Sequence, residues 1–448
     1  MAEEKPTLER SISLFEATLY GVGIILGAGI YALIGKAAGI AGNTLWLSFI
    51  FSGMIASFTA LSYAELSSIF PRDSAEFLYV KKALGKEWIA FFVAWISIVT
   101  GFISIAAVAL GFANYLTYFA PIPIIFGAIG LIALMSIINF WGIKESVNFN
   151  IVFTLIEVGG LIIIILIGLP FLGNVDYFVG PNAAVTPQDL ISPITVATAL
   201  IFFAFIGFEG LANITEETND ATKTIPRAVI LSLVISTIIY VLVAFSVVSI
   251  VPWEQLAESA APLALVAERA LGTNAGIALA VIALFATTNT VLILLIAVSR
   301  RFYGVSKEGC LPNCFQRVHP KTRTPYYAIA ATALLAIIFA LFQDIKVVAF
   351  LTDFGIFIIF LIVNLSVIFL RFHQPNALRP FRIPLSIGRF PILPFLGVVS
   401  CSYMLLSFSF EIAAISLIVF LVAIPFYFVF RNSFRNNGDN SQIRGKTT

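Results

Sequence analysis

The chain has 448 residues, 60% of them hydrophobic and only 11% charged, with 26 Lys and Arg against 24 Asp and Glu. A soluble domain carries about 25% charged residues, so this composition, with a mean hydropathy of +1.01, excludes a water-soluble enzyme, a nucleic-acid binder and a solvated interaction module. The net charge of +2 is uninformative in itself; where the positive charges fall is not.

In chain order, apolar runs fall near 13–35, 43–70, 88–118, 122–141, 147–171, 191–215, 228–250, 274–299, 326–343, 347–370, 391–410 and 412–430. Each is on the order of 20 residues, the length of a helix that crosses the hydrocarbon core. The runs are continuous and do not alternate, which excludes a barrel. The class is an all-α polytopic membrane protein of about twelve spans. The opening MAEEKPTLER is polar and partly acidic, without a signal-peptide n-region, so the first run is expected to stay in the mature protein. The segment 72–87 puts Phe77, Val80 and Leu84 on one helical face and Lys81 and Lys82 off it. That pattern fits a short interfacial helix or a solvated loop. Residues 391–430 are almost unbroken, with Glu411 at the midpoint, and predict a tight hairpin with Glu411 at its tip. The tail after Arg431 is polar and expected to be disordered.

With the N-terminus inside and the spans alternating, Lys36, Arg269 and Lys346 fall outside and the other 23 of the 26 basic residues fall inside. This asymmetry supports both the span count and cytoplasmic termini. The loop 172–190 carries no Lys or Arg and faces outward, while 300–325 is basic and faces inward. Cys310, Cys314 and Cys401 make no disulfide framework. Cys310 and Cys314 lie near His319, but a metal site needs about four ligands, so reduced, unliganded thiols are expected. Nothing in the chain points to a cofactor.

GVGIILGAGIYALIG (21–35) weakens the first span with five glycines, each costing about 1 kcal/mol against Ala in a helix interior. GFEG (207–210) interrupts the sixth. Each interruption opens a block of five spans, 13–171 and 191–371, and five is odd, so the second block runs in the opposite sense. This predicts an inverted repeat, flanked by a cytoplasmic N-terminus (1–12) and followed by two further spans (391–430) and a tail (431–448). Paired interruptions in two halves point to a transporter's substrate site; glycines that only permit close helix packing are the alternative. Unwound backbone survives in lipid only where it is buried in protein or lines a cavity. Amides of Ala28, Gly29 and Ile30, freed after Gly27, suit a substrate carboxylate. Carbonyls near Ile25, Phe203, Ala204 and Ile206, around the Gly207 break, suit an ammonium. Together they describe an amino acid.

The stretches GVGIILGAGIYALIG, FFAFIGFEGLANITEETNDATKTIPRAV, FATTNTVLILLIAVSRRFYGVSKEGCLPNCFQRVHPKTRTP and LTDFGIFIIFLIVNLSVIFLR resemble the amino acid–polyamine–organocation family of permeases over nearly the whole chain. The resemblance implies the five-plus-five inverted-repeat fold shared with the leucine transporter, with two extra helices at the C-terminus. It implies that GAG (27–29) takes the substrate carboxylate and that Phe203 closes over the substrate. The family often shows P-x-x-G-G-x-Y after the second span, where this chain reads PRDSAEF (71–77).

Intramembrane carboxylates are functional hypotheses by default. Glu157 lies about ten residues into the fifth span, on the order of 15 Å deep. The resemblance implies a frequent Lys at that position, so Glu is a departure. Glu157 is a candidate proton-coupling group, with a sodium site shared with Thr287 or Thr288, or a static hydrogen bond or ion pair, as alternatives. Glu209 would carry a proton, favour cationic substrates, or cap the unwound backbone, and Phe208 is a weaker substrate contact than Phe203. Asp353 and Asn289 are weaker candidates still. Glu65, near the cytoplasmic end of the second span, is expected to reach water in a structural role. Glu216, Glu217, Asp220, Lys223 and Arg227 form an inner gate or a solvated face.

The expected function is secondary transport of amino acids by alternating access in a plasma membrane, the compact loops suiting a prokaryotic one. Neutral substrates are expected first, with a proton as coupling ion, and sodium coupling, exchange, or cationic amino acid or polyamine transport as alternatives. A channel or receptor is the rival class. An enzyme is excluded because the two histidines, His319 and His373, fall on cytoplasmic loops and no nucleophile–base pair lies in the spans.

Overall fold

The computed structural model describes residues 12–70, 75–142, 147–181, 187–307 and 311–428. Cys310, the terminal residues 1–11 and the tail beyond 428 lie outside them. Among the described residues the architecture is helical: nine helices are long and apolar enough to cross a membrane, and Leu14–Ile25, Tyr326–Ala340 and Ile392–Ser407 are shorter apolar ones.

The first half runs α1 (Leu14–Ile25), α2 (Ala28–Ala41), α3 (Leu45–Ile69), α4 (Ala75–Leu84), α5 (Glu87–Leu116), α6 (Ile124–Trp141) and α7 (Val147–Gly168). The second runs α8 (Pro187–Ile201), α9 (Ala221–Ile250), α10 (Trp253–Glu258), α11 (Pro262–Leu271), α12 (Thr273–Lys307), α13 (Tyr326–Ala340) and α14 (Ile345–His373), then α15 (Ile392–Ser407) and α16 (Phe410–Leu421). A small hairpin pairs Ser386 with Pro391 and Ile387 with Phe390 ahead of α15.

Local chemistry sets most boundaries. Ser13 and Glu16 form a capping box on α1: the Ser13 side chain accepts from the Glu16 amide, and the Glu16 carboxylate accepts from the Ser13 amide at 2.8 Å. Pro123, Pro252, Pro325 and Pro391 stand immediately before α6, α10, α13 and α15, where a missing N–H and a fixed φ do no harm. Gly142 closes α6 in the left-handed conformation at φ 80.

At the centre, α5 has 83% of its most apolar window buried, against 22% for the span that begins with α16. It packs on α4, α6, α12, α13 and α14. The second organising helix, α9, lies along α3 and receives α1 and α7. Large side chains such as Phe126, Leu155, Leu166 and Ile418 are exposed on the outer faces, the apolar skin expected where the solvent is hydrocarbon.

The structure differs from the sequence reading in places. Segment 72–87 does contain a helix, but α4 packs on α5 and α14, with Tyr79 and Val80 fully buried; it belongs to the bundle. α12 continues past residue 299 to Lys307, because leaving hydrocarbon ends a hydropathy run but not a helix, and Arg300 and Arg301 extend it. Glu411 does sit in the first turn of α16, behind the Ser409 cap.

Glu65 requires a correction: it is 1% exposed and does not reach water. Arg371 of α14 grips it bidentately, through Nε at 3.0 Å and a terminal nitrogen at 2.5 Å. The Ile383 amide donates at 2.9 Å, and Arg379 adds an ion-pair contact at 3.3 Å that lacks hydrogen-bond geometry. Burying both charges is offset only because the carboxylate is saturated with donors. Asp220 and Lys223, by contrast, form an exposed pair at 3.0 Å; the side chains of Glu216 and Glu217 lie outside the described residues. Replacing Glu65 with Ala strands a buried guanidinium and is expected to cost about 3–5 kcal/mol, read as a lower midpoint of thermal unfolding in detergent. Lys223→Ala should leave that midpoint unchanged.

Candidate functional site

Two spans lose their regular helix midway, and the two interruptions touch. α1 stops at Ile25 and α2 starts at Ala28, with Gly27 extended at φ −60, ψ −156. α8 stops at Ile201 and gives way to two 3-10 segments, Phe202–Phe205 and Phe208–Glu217. Between them Ile206 is extended and Gly207 has φ 131, a conformation side chains resist. A Cβ placed on Gly29 would lie 2.7 Å from the Ala204 Cα, and one on Gly207 would lie 3.1 Å from the Ile24 carbonyl oxygen. The two backbones meet at these glycines. Other glycines of the 21–35 stretch serve packing as well: a Cβ on Gly21 would lie 2.8 Å from the Ser232 hydroxyl.

Unwinding frees backbone groups, and three side chains take some of them up. Tyr240 of α9, fully buried, puts its hydroxyl 2.5 Å from the Ile25 carbonyl and 2.8 Å from that of Ala204. One O–H proton serves two carbonyls, so one is always under-satisfied. Thr290 of α12 accepts from the Ala28 amide at 3.2 Å. Glu209 accepts from the Gly207 amide at 2.9 Å, the capping arrangement among its expected roles. The next amides of α2, those of Gly29 and Ile30, are ones the helix leaves unpaired at its head, where the macrodipole is positive.

The remaining sequence candidates separate. Phe203, Ala204 and Ile30 are buried at the junction. Phe208 instead packs at 5.3 Å from Phe360 and 5.8 Å from Tyr63, in an aromatic cluster. Glu157 of α7 is 2% exposed; its carboxylate accepts from the Asn289 carboxamide at 3.3 Å. Its main-chain carbonyl accepts from the Tyr31 hydroxyl at 2.6 Å, and the Tyr31 carbonyl accepts from Tyr115 at 3.1 Å. The Thr287 hydroxyl is engaged by its own helix, at the Ala283 and Leu284 carbonyls, and Thr288 is half-buried. What α12 gives the site is therefore Asn289 to Glu157 and Thr290 to the first break. Tyr240, Thr290 and Tyr31 were not singled out from sequence. Tyr240 carried a signal, since a tyrosine inside an apolar run needs a partner for its hydroxyl.

Comparison with known proteins agrees with this architecture. A family model described as amino acid permease matches residues 12–430. The chain is 29% identical to the branched-chain amino acid permease BcaP of Bacillus subtilis over 95% of this chain and 93% of that protein. It is also 29% identical to the methylthioribose transporter of the same organism, over 93% and 94% of the two chains. It is 28% identical to human cationic amino acid transporter 4, over 83% of this chain and 61% of that one.

Removing the Tyr240 hydroxyl leaves both buried carbonyls without its proton. Tyr240→Phe is expected to destabilise the protein by about 1–3 kcal/mol, seen as a lower thermal midpoint, while Phe at the exposed Tyr403 should change nothing measurable.

Proposed function

The chain belongs to the amino acid permease family, and from that premise we propose that it is a secondary transporter of amino acids working by alternating access. The observation that carries this reading is the meeting of the two interrupted spans at Gly29 and Ala204. A zwitterion suits that junction. Its carboxylate accepts from the Gly29 and Ile30 amides at the positive head of α2. Its ammonium donates to whichever of the Ile25 and Ala204 carbonyls the Tyr240 proton leaves under-satisfied, with the carbonyls of Phe203 and Ile206 alongside. Phe203, at the junction but outside the Phe208 cluster, is the side chain that closes over the substrate.

The helices α1–α7 and α8–α14 act as two inverted halves, each opened by an interrupted span, with α15 and α16 appended. Both termini face the cytoplasm of a plasma membrane. Neutral, apolar amino acids are the preferred substrates, because Glu209, the carboxylate carried by the second break itself, is occupied in capping Gly207. The relatives are named for different substrates, so the choice rests on this chain's own site.

A proton is the coupling ion, bound at Glu157. Its side-chain partner is a neutral carboxamide, which donates to a carboxylate and, turned over, accepts from a carboxylic acid. Asn289 therefore serves either protonation state without another rearrangement. Sodium coupling would need Thr287 or Thr288 as further oxygen ligands, and the Thr287 hydroxyl is turned to its own helix; its oxygen keeps a lone pair for such a role.

Reconstitution into proteoliposomes tests the reading. Labelled neutral amino acids should undergo counterflow, and an imposed pH gradient, not a sodium gradient, should drive accumulation. Glu157→Gln should keep counterflow and accumulate substrate less steeply under the pH gradient; a variant that concentrates substrate as steeply as the parent overturns the role of Glu157. Gly29→Ala pushes the two breaks apart and should weaken substrate binding at least about tenfold, 1.4 kcal/mol, in a radioligand assay.

A further inference from the structure

Among the described residues four acids are buried in the bundle, and three have donors: Glu65 has Arg371 and the Ile383 amide, Glu157 has Asn289, and Glu209 has the Gly207 amide. The fourth, Asp353, is fully buried on α14, and neither carboxylate oxygen has a hydrogen-bond partner among the described residues. It lies about two turns from the head of α14, on the face that looks at the second break. Phe357, four residues on and therefore above it on the same face, holds its ring 4.4 Å from that of Phe202. The backbone amide of Phe203 faces the carboxyl outside hydrogen-bonding geometry.

Most of the described charged and titratable side chains on the elements packed on α14 are engaged elsewhere or exposed; the buried Tyr79 hydroxyl of α4 has no hydrogen-bond partner among the described residues. Lys36 of α2 donates to the Ala257 carbonyl, Glu76 of α4 accepts from Tyr63 of α3, and Glu87 of α5 pairs with Lys81. Tyr115 of α5 donates to the Tyr31 carbonyl, Cys401 of α15 lies against Thr59, and Glu411 of α16 is exposed. Among the described residues Asp353 takes part in no ion pair.

An ionised carboxylate buried with neither donor nor counter-charge carries a desolvation penalty of several kcal/mol, far above that of the neutral acid. A structural aspartate would show the hydrogen bonds that justify it, as Glu65 does. We propose that Asp353 is a proton-binding site of the transport cycle, separate from Glu157, whose proton is released when the Phe202–Phe205 turn shifts. In that step the carboxyl O–H bond breaks, the proton passes to an entering water that becomes hydronium, and the carboxylate left behind accepts from the Phe203 amide. Movement of the second break and the charge of Asp353 are thereby tied together. The inference rests on the transporter reading above.

The test uses the full chain in proteoliposomes. Counterflow by the parent protein is the check on the transporter reading itself: its absence sinks that reading, independently of Asp353. Given counterflow, the number of protons moved per substrate is measured from the membrane potential at which net flux reverses. Asp353→Asn should keep counterflow and move one proton fewer per substrate than the parent, and Asp353→Glu should restore the parent value. An unchanged proton number in Asp353→Asn overturns the proposal. So does a switch of preference between cationic and neutral substrates, which would make Asp353 a counter-charge for the substrate side chain. Should Asp353→Asn fail to fold, the unaltered protein answers with dicyclohexylcarbodiimide, which reacts with protonated carboxyls in apolar surroundings. Label on Asp353 in peptide mass spectra, lost as the pH is raised with substrate present, supports the proposal; label on Glu157 with none on Asp353 overturns it.

Discussion

Inside a bilayer there is no water to satisfy an exposed peptide group, and each one left over costs several kcal/mol. Everything at the centre of this protein follows from how it meets that constraint while leaving two spans unwound. The freed carbonyls of Ile25 and Ala204 lie on different spans, yet both are reached by the hydroxyl of Tyr240. The freed amide of Ala28 is reached by Thr290, and that of Gly207 by Glu209. α9 and α12 are thus tied to the interruptions as well as packed against them, and the groups that remain, the next amides of α2, are those a ligand with a carboxylate can use.

The buried charges divide along similar lines. Glu65 is surrounded by donors and joins α3 to α14 and to the segment that follows it. Such an arrangement is expensive to break. Glu157, buried on α7, has one side-chain partner among the described residues, the neutral carboxamide of Asn289. Paired charge ties helices together here, while, among the described residues, Glu157 and Asp353 are buried without a counter-charge in an ion pair.

Much of this was legible in the residues. Long uncharged runs announce membrane helices because lipid permits little else, and glycines placed midway in two such runs mark the interruptions. Less legible were the partners of those interruptions. Ile25 and Tyr240 are far apart in the chain, and no local pattern brings them together. On α12 the sequence drew attention to Thr287 and Thr288 first and to Asn289 only as a weaker candidate, whereas Asn289 and Thr290 make the contacts. Each residue turns the helix by about 100°, so depth in the membrane can be read from position while the direction of a side chain within a well-packed bundle cannot. The water access expected for Glu65 failed for a related reason: its partner, Arg371, comes from a distant span, and with the segment that follows it closes over a position that looks shallow in isolation.

One small contact has a mechanical meaning. Ile12, ahead of α1, makes a parallel bridge to Thr218 at the end of the second 3-10 segment, and its carbonyl accepts from the Asn219 amide at 3.0 Å. Those hydrogen bonds stitch the near ends of two half-helices that already touch at their interruptions. Fastened at two places, the pair resists being displaced one member at a time: a force on either is passed to the other through both attachments.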